Sequence, residues 1–228
     1  MKHDALQDSA LSFVGWMQEN KSLVTLVSAI VVAVLLFGVG GVALYQHRQD
    51  QAQVAFGAAM DIYLTPLAQP GTPPQPGVRT YASAAARAQD ANAAFLRVAS
   101  SYGWTGTGKN AEYFAGLSYM DMGQNVDAER ILKQVASHGD RNLAALAQMA
   151  LASLALQDGR TSDAIQIYQN LARHPVTTVP ASQANLALAA LYEKTNPQQA
   201  KQIYAAIKDT DKDTAAGQIA TQKLAQIH

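Results

Sequence analysis

The sequence has no cysteine among its 228 residues. That excludes disulfide bonds, thiolate zinc sites, cysteine nucleophiles and an acylated lipoprotein anchor, and it fits an oxidising compartment. An excess of one charge is also missing. Seventeen Lys and Arg balance 17 Asp and Glu, so no net field draws the chain to nucleic acid or to an anionic surface. Outside one segment Val and Ile are sparse, whereas about a fifth of the residues are alanine, which favours closely packed helices over sheets. Catalytic groupings are likewise absent. His3, His47, His138, His174 and His228 never fall at a helical ligand spacing, and the serines lack a nucleophile-elbow context. Neither Glu112 nor Glu129 has a carboxylate partner in sequence to complete a general acid–base pair. The sequence therefore predicts no enzyme, and no metal, cofactor, small-molecule substrate or nucleic-acid partner.

Two short stretches approach known ligand loops and fall short. Residues 103–110, GWTGTGKN, carry the glycines and lysine of a phosphate-binding loop. However, Asn110 takes the place of the Mg²⁺-binding hydroxyl, and a helix rather than a strand precedes the loop. Residues 209–213, DTDKD, open like a calcium loop, but Thr214 stands where glycine is needed and Ala220 where the bidentate Glu is needed. Both read as turns between helices.

Against these absences stands one long apolar run, residues 23–45, LVTLVSAIVVAVLLFGVGGVALY, with no charge and no proline. As a helix its length is about 34 Å, against about 30 Å of bilayer hydrocarbon. It is predicted to be a transmembrane helix over 22–45 in contact with lipid. The run is longer than a signal-peptide core, and the preceding segment carries Asp4, Asp8 and Glu19, so retention is favoured over cleavage. Lys21 and Lys2 against Arg48 tilt the charge comparison toward a cytoplasmic N-terminus and an exported C-terminal domain. Residues 1–21 place Leu6, Ala10, Phe13, Val14 and Met17 on one stripe; an interfacial helix and a disordered tail both fit.

After the span, helical spacing continues through Ala52, Ala55, Phe56, Ala59, Met60 and Tyr63. Residues 66–77 then hold five of the eight prolines, an extended, semi-stiff linker by composition. We read 46–79 as stalk and linker and 80–228 as a helical domain. Tyr81, Ala85, Ala88, Ala91, Phe95, Val98 and Tyr102 form a first apolar face. Beyond it one pair of helices recurs three times at an offset of 36, with Ala128, Ala164 and Ala200 as corresponding residues. Gly123 and Gly159 are predicted to end first helices in the left-handed conformation. In the third copy Asn196-Pro197 replaces that device with an N-cap and a first-turn proline, and Gln199 takes the capping-box position. Residues 213–227 read as a terminal capping helix with Ala216, Ile219, Ala220, Leu224 and Ile227 on its buried face.

This layout resembles tetratricopeptide repeats, whose period is about 34 residues, although Ala155 replaces a large aromatic and the signature tryptophan is missing. The predicted fold class is all-α, one transmembrane helix followed by a tetratricopeptide-like α-solenoid. The first helix of each pair is expected to line a groove, which places Tyr113, Leu117, Met120, Met149, Leu156, Asn185 and Tyr192 at a partner-binding face. With its N-terminal segment (residues 13–21, FVGWMQENK), span, stalk and Ala-rich repeats, the chain resembles the YfgM-like ancillary subunits of the bacterial Sec translocon; the proline-rich linker departs from that pattern. The resemblance implies a single-pass inner-membrane protein with a periplasmic repeat domain. Its implied partners are translocon subunits, a membrane-anchored periplasmic chaperone or peptidyl-prolyl isomerase, and emerging unfolded polypeptide. A repeat scaffold for another envelope machine (division, outer-membrane biogenesis or secretion) is the alternative.

Overall fold

The structure, a computed structural model, describes residues 16–18, 20–69, 71, 77 and 79–227. Most of the N-terminal stripe and the centre of the proline-rich segment lie outside the described residues. The chain divides into two compact units, Met1–Asp50 and Gln51–His228. Helix α1, Lys21–Tyr63, enters both.

In the first unit the helix is apolar on every face, and no residue of its most apolar stretch is buried in the protein. Phe37 is 83% exposed and Leu36 69%. That surface is long and apolar enough to cross a membrane. The few polar groups fold onto the backbone: the Thr25 hydroxyl donates to the Lys21 carbonyl at 2.8 Å, satisfying it without water.

The second unit is all helical among the described residues, apart from two isolated bridges. After residues 51–63 of α1 come α2 (Ala84–Tyr102), α3 (Gly106–Asp121), α4 (Asn125–His138), α5 (Arg141–Gln157), α6 (Thr161–Arg173), α7 (Ala181–Thr195), α8 (Pro197–Thr210) and α9 (Ala215–Gln226). From α2 to α9 each helix packs on its neighbours in sequence, with α3 also reaching α5 and α7 reaching α9. This is the near-neighbour pattern of a solenoid.

Local chemistry places the helix ends. Side-chain oxygens of Ser83, Thr105, Asp140, Asn196 and Thr214 accept from backbone N–H groups of the first turns of α2, α3, α5, α8 and α9, meeting donors that a helix start leaves unpaired. Gly123 and Gly159 have φ of +71° and +75°. Around each, two bonds close the helix end: Gly123 N to Met120 O and Gln124 N to Tyr119 O, then Gly159 N to Leu156 O and Arg160 N to Ala155 O. This is the expected left-handed termination. At the third copy Asn196 caps α8 and Pro197 opens it. There Gln199 accepts from the Asn196 side-chain amide at 3.1 Å, while the Asn196 backbone N–H goes to Tyr192 O.

The 36-residue period is carried by burial. Ala128, Ala164 and Ala200 are all 0% exposed, and the large residues four further on, Leu132, Tyr168 and Tyr204, are 0–4% exposed. Val135, Leu171 and Ile207 complete each triplet. The same triplet occurs once more in α2 as Ala91, Phe95 and Val98, one residue out of the 36-residue register. Its partner is residues 51–63 of α1, where Ala52 and Ala59 are buried and Phe56 and Tyr63 meet Phe95. The segment read as a stalk thus supplies the first helix of a further pair.

Of the proline-rich segment read as an extended linker, the described start pairs with Tyr81: Ala68 N donates to Tyr81 O at 2.8 Å and Tyr81 N to Pro66 O at 3.0 Å. Tyr81 and Ala68 supply the N–H donors that proline lacks. The Tyr81 hydroxyl donates to Asp90 at 2.7 Å, and Arg87 donates to Thr65 O at 3.2 Å. At the far end α9 buries Gly217 and Ala220, with Ala216, Leu224 and Ile227 packed around Tyr204 and Ile207. Ile219, expected on that face, is 46% exposed. It lies one position from Ala220, about 100° around the helix and off the buried stripe.

Candidate partner-binding face

The seven residues of the expected face sit on α3, α5 and α7, the first helices of the three pairs. Tyr113, Met149 and Asn185 are equivalent under the 36-residue offset, and so are Met120, Leu156 and Tyr192. Within each helix the two are seven apart, two turns along one side. Every one of the seven is half-buried. None is sealed in the core and none stands free, so each has an anchored part and an accessible part.

They divide between adjacent interior clusters. Tyr113, Leu117 and Met120 pack on Leu132, Val135, Leu143, Ala147 and Ala150. Tyr113 also meets Phe114 edge-on at 5.5 Å, and burial pushes its hydroxyl above the ordinary tyrosine range. Met149, Leu156 and Tyr192 pack on the cluster containing Ala152, Ala155, Tyr168 and Leu171. Tyr192 reaches the next cluster too, and its hydroxyl accepts from Gln169 Nε2 at 3.4 Å. Asn185 is the polar member, half-buried on α7. The counterpart of Leu117 in the third pair is Ala189, fully buried, so that position turns inward as the stack proceeds.

Charged groups gather on the turns and second helices instead. Arg160 bonds Glu129 at 2.8 Å and Asp158 at 3.1 Å. Lys133 bonds Glu129 at 2.7 Å, and Asn125 donates to Asp158 at 2.7 Å. Lys133, then Arg160, holds the Glu129 carboxyl below the usual range. Asp158 is lowered by Arg160 and then Asn125. Such exposed pairs add little to stability; they link the first pair to the second. Among the described residues no three His, Asp or Glu side chains converge as a metal site. Of the glycine-rich stretch at 103–110, residues 103–105 form the turn between α2 and α3 and 106–110 open α3, with the Thr105 hydroxyl accepting from Gly108 N at 3.0 Å.

An aromatic group missed by the sequence reading packs against the middle of α3. Phe114 stacks on Phe95 at 5.3 Å, and Phe56 and Tyr63 meet it at 5.6 and 5.8 Å. The stripe at 52, 55, 56, 59, 60 and 63 was its signal, because a solvated stalk has no use for an apolar face.

The chain matches the family described as tetratricopeptide repeat-like domain over residues 15–174. That range takes in the apolar helix, α2 and the first two of the three 36-residue copies. No curated protein and no solved structure matches the chain.

Proposed function

The chain belongs to the tetratricopeptide repeat-like domain family, and from that premise we propose that it is a membrane-anchored, non-catalytic interaction module, an ancillary subunit of the Sec translocon. In this reading residues 1–21 are cytoplasmic, 22–45 cross the inner membrane, 46–79 connect while adding 51–63 to the repeats as the first helix of a further pair, and 80–228 form the rest of a periplasmic repeat domain. The face bearing Tyr113, Leu117, Met120, Met149, Leu156, Asn185 and Tyr192 holds a membrane-anchored chaperone or an emerging polypeptide.

One observation carries the binding part: six of these residues occupy two positions repeated in three successive pairs, all half-buried. Repeat-like domains of this kind are generally interaction modules, and a mixed Tyr, Met and Leu surface adapts to varied apolar segments. The exposed apolar stretch of α1 supports the anchor, and the likeness of the layout to YfgM-like subunits supports the translocon.

The test is crosslinking in intact cells, gentle detergent extraction and mass spectrometry of the tagged full-length chain. Recovery of translocon subunits with a membrane-anchored folding factor is the expected result. Recovery of division or outer-membrane assembly machinery in their place overturns the translocon assignment. Replacing Tyr113, Met149 and Tyr192 together with Ser is expected to abolish capture while keeping the far-UV helical signal; capture that survives the change overturns the face.

A further inference from the structure

Residues 51–63 differ from the other first helices in one respect. They are joined to their partner helix by the whole segment 64–83, which closes on itself at Leu67 and Tyr81. The packing they make is that of a core element. Phe56 and Tyr63 each lie against both Phe95 of α2 and Phe114 of α3, and Ala59 is 1% exposed. Burial and Asp121, at the end of α3, push the Tyr63 hydroxyl up to about 12. The small side chain at 59 lets the helix approach closely while the two rings fill the space beside it.

We infer that residues 51–63 are a docking helix seated between α2 and α3, and that the proline-rich segment is a strap whose continuity the attachment does not need. The repeat domain is held to its own anchor helix by packing, in the manner of a helix-in-groove complex whose ligand is supplied by the same chain. Covalent linkage adds effective concentration to that contact, but the contact stands without it.

The experiment uses the full chain, tagged at its N-terminus, in detergent, with a specific protease site inserted between Pro74 and Gln75. After cutting, the C-terminal fragment is expected to remain on the tagged N-terminal fragment through size exclusion and pull-down. Phe56→Ala is expected to weaken retention by about a hundredfold, as for truncating a half-buried ring packed on two others. Tyr63→Phe, which keeps the ring against Phe95 and Phe114, is expected to retain the fragment as the unsubstituted protein does. Release of the cut unsubstituted fragment overturns the inference, because the strap is then the tether. Equal retention by the cut Phe56→Ala protein overturns it too, because the aromatic seat is then not what holds. Far-UV spectra of the uncut variants separate lost docking from lost folding.

Discussion

Replacing Gly159 with valine isolates a backbone cost from a packing cost. The residue sits at φ +75°, and a Cβ built there meets nothing within 4 Å. A side chain is therefore opposed by conformation alone. Holding an L-residue in the left-handed region costs about 1–2 kcal/mol. The substitution also stiffens the unfolded chain, returning about 0.4–1 kcal/mol. Valine branches at Cβ and belongs at the upper end of the strain range, so the net loss is about 1 kcal/mol. For a domain of this size that lowers Tm by about 2–4 °C, readable in a thermal scan of helical ellipticity on the detergent-solubilised chain. Gly159→Asn is expected to recover most of the loss, because asparagine tolerates this region best after glycine. An unchanged Tm for the valine variant would falsify the assigned helix end, since escape to ordinary φ would forfeit the bonds from Gly159 N and Arg160 N that close α5.

Gly116 makes the opposite case: a Cβ there would lie 2.8 Å from Leu132 Cδ2 and 2.9 Å from its Cγ, and Leu132 is fully buried. Gly116→Ala is expected to cost about 1–3 kcal/mol through overpacking, despite alanine's better helix propensity, and a stabilised variant in urea titration would refute that close approach. Two hydroxyls make the largest contributions to alkaline stability, both raised by burial: Tyr63 to about 12, helped by Asp121, and Tyr204 further, helped by Glu193. Because the folded state holds these protons more tightly than the unfolded one, their contribution is full below pH 10 and fades as pH rises through the folded values. Tyr204→Phe is expected to flatten the decline in Tm above pH 10 while lowering Tm at neutral pH, through the lost 2.6 Å bond to Glu193; an unaltered alkaline slope would refute the assignment.

The repeats were legible because stacking imposes the same demand three times. An alanine must let helices meet, a large residue must fill the space beyond it, and an aliphatic one must close it, so Ala128, Leu132 and Val135 recur 36 and 72 residues on. Turn chemistry was legible for the same local reason: Gly123, Gly159 and Asn196-Pro197 act on their own backbone. The pair formed by 51–63 and α2 was not. Its halves are separated by the proline-rich insertion, its triplet at Ala91, Phe95 and Val98 is out by one residue, and its first helix continues directly from an apolar run that hides where one role ends. The seven residues of the candidate face were legible as repeat positions. Their contacts were not, since the Gln169 amide on Tyr192 follows from three-dimensional packing rather than from spacing.

Comparing the pairs within this one chain gives a physical reason to look to α3, α5 and α7 for recognition. Positions that stack are held to a size: alanine stays alanine at 128, 164 and 200, and its neighbour four residues on stays large. Positions at the candidate face are held to no size or polarity. Tyr113 becomes Met149 and then Asn185, while Met120 becomes Leu156 and then Tyr192. All are half-buried, so the difference does not follow from some being core and others surface. The stack thus accommodates different side chains at these positions, as it does not at Ala128. A surface whose chemistry can change from one pair to the next without unstacking the solenoid can be matched to a partner pair by pair.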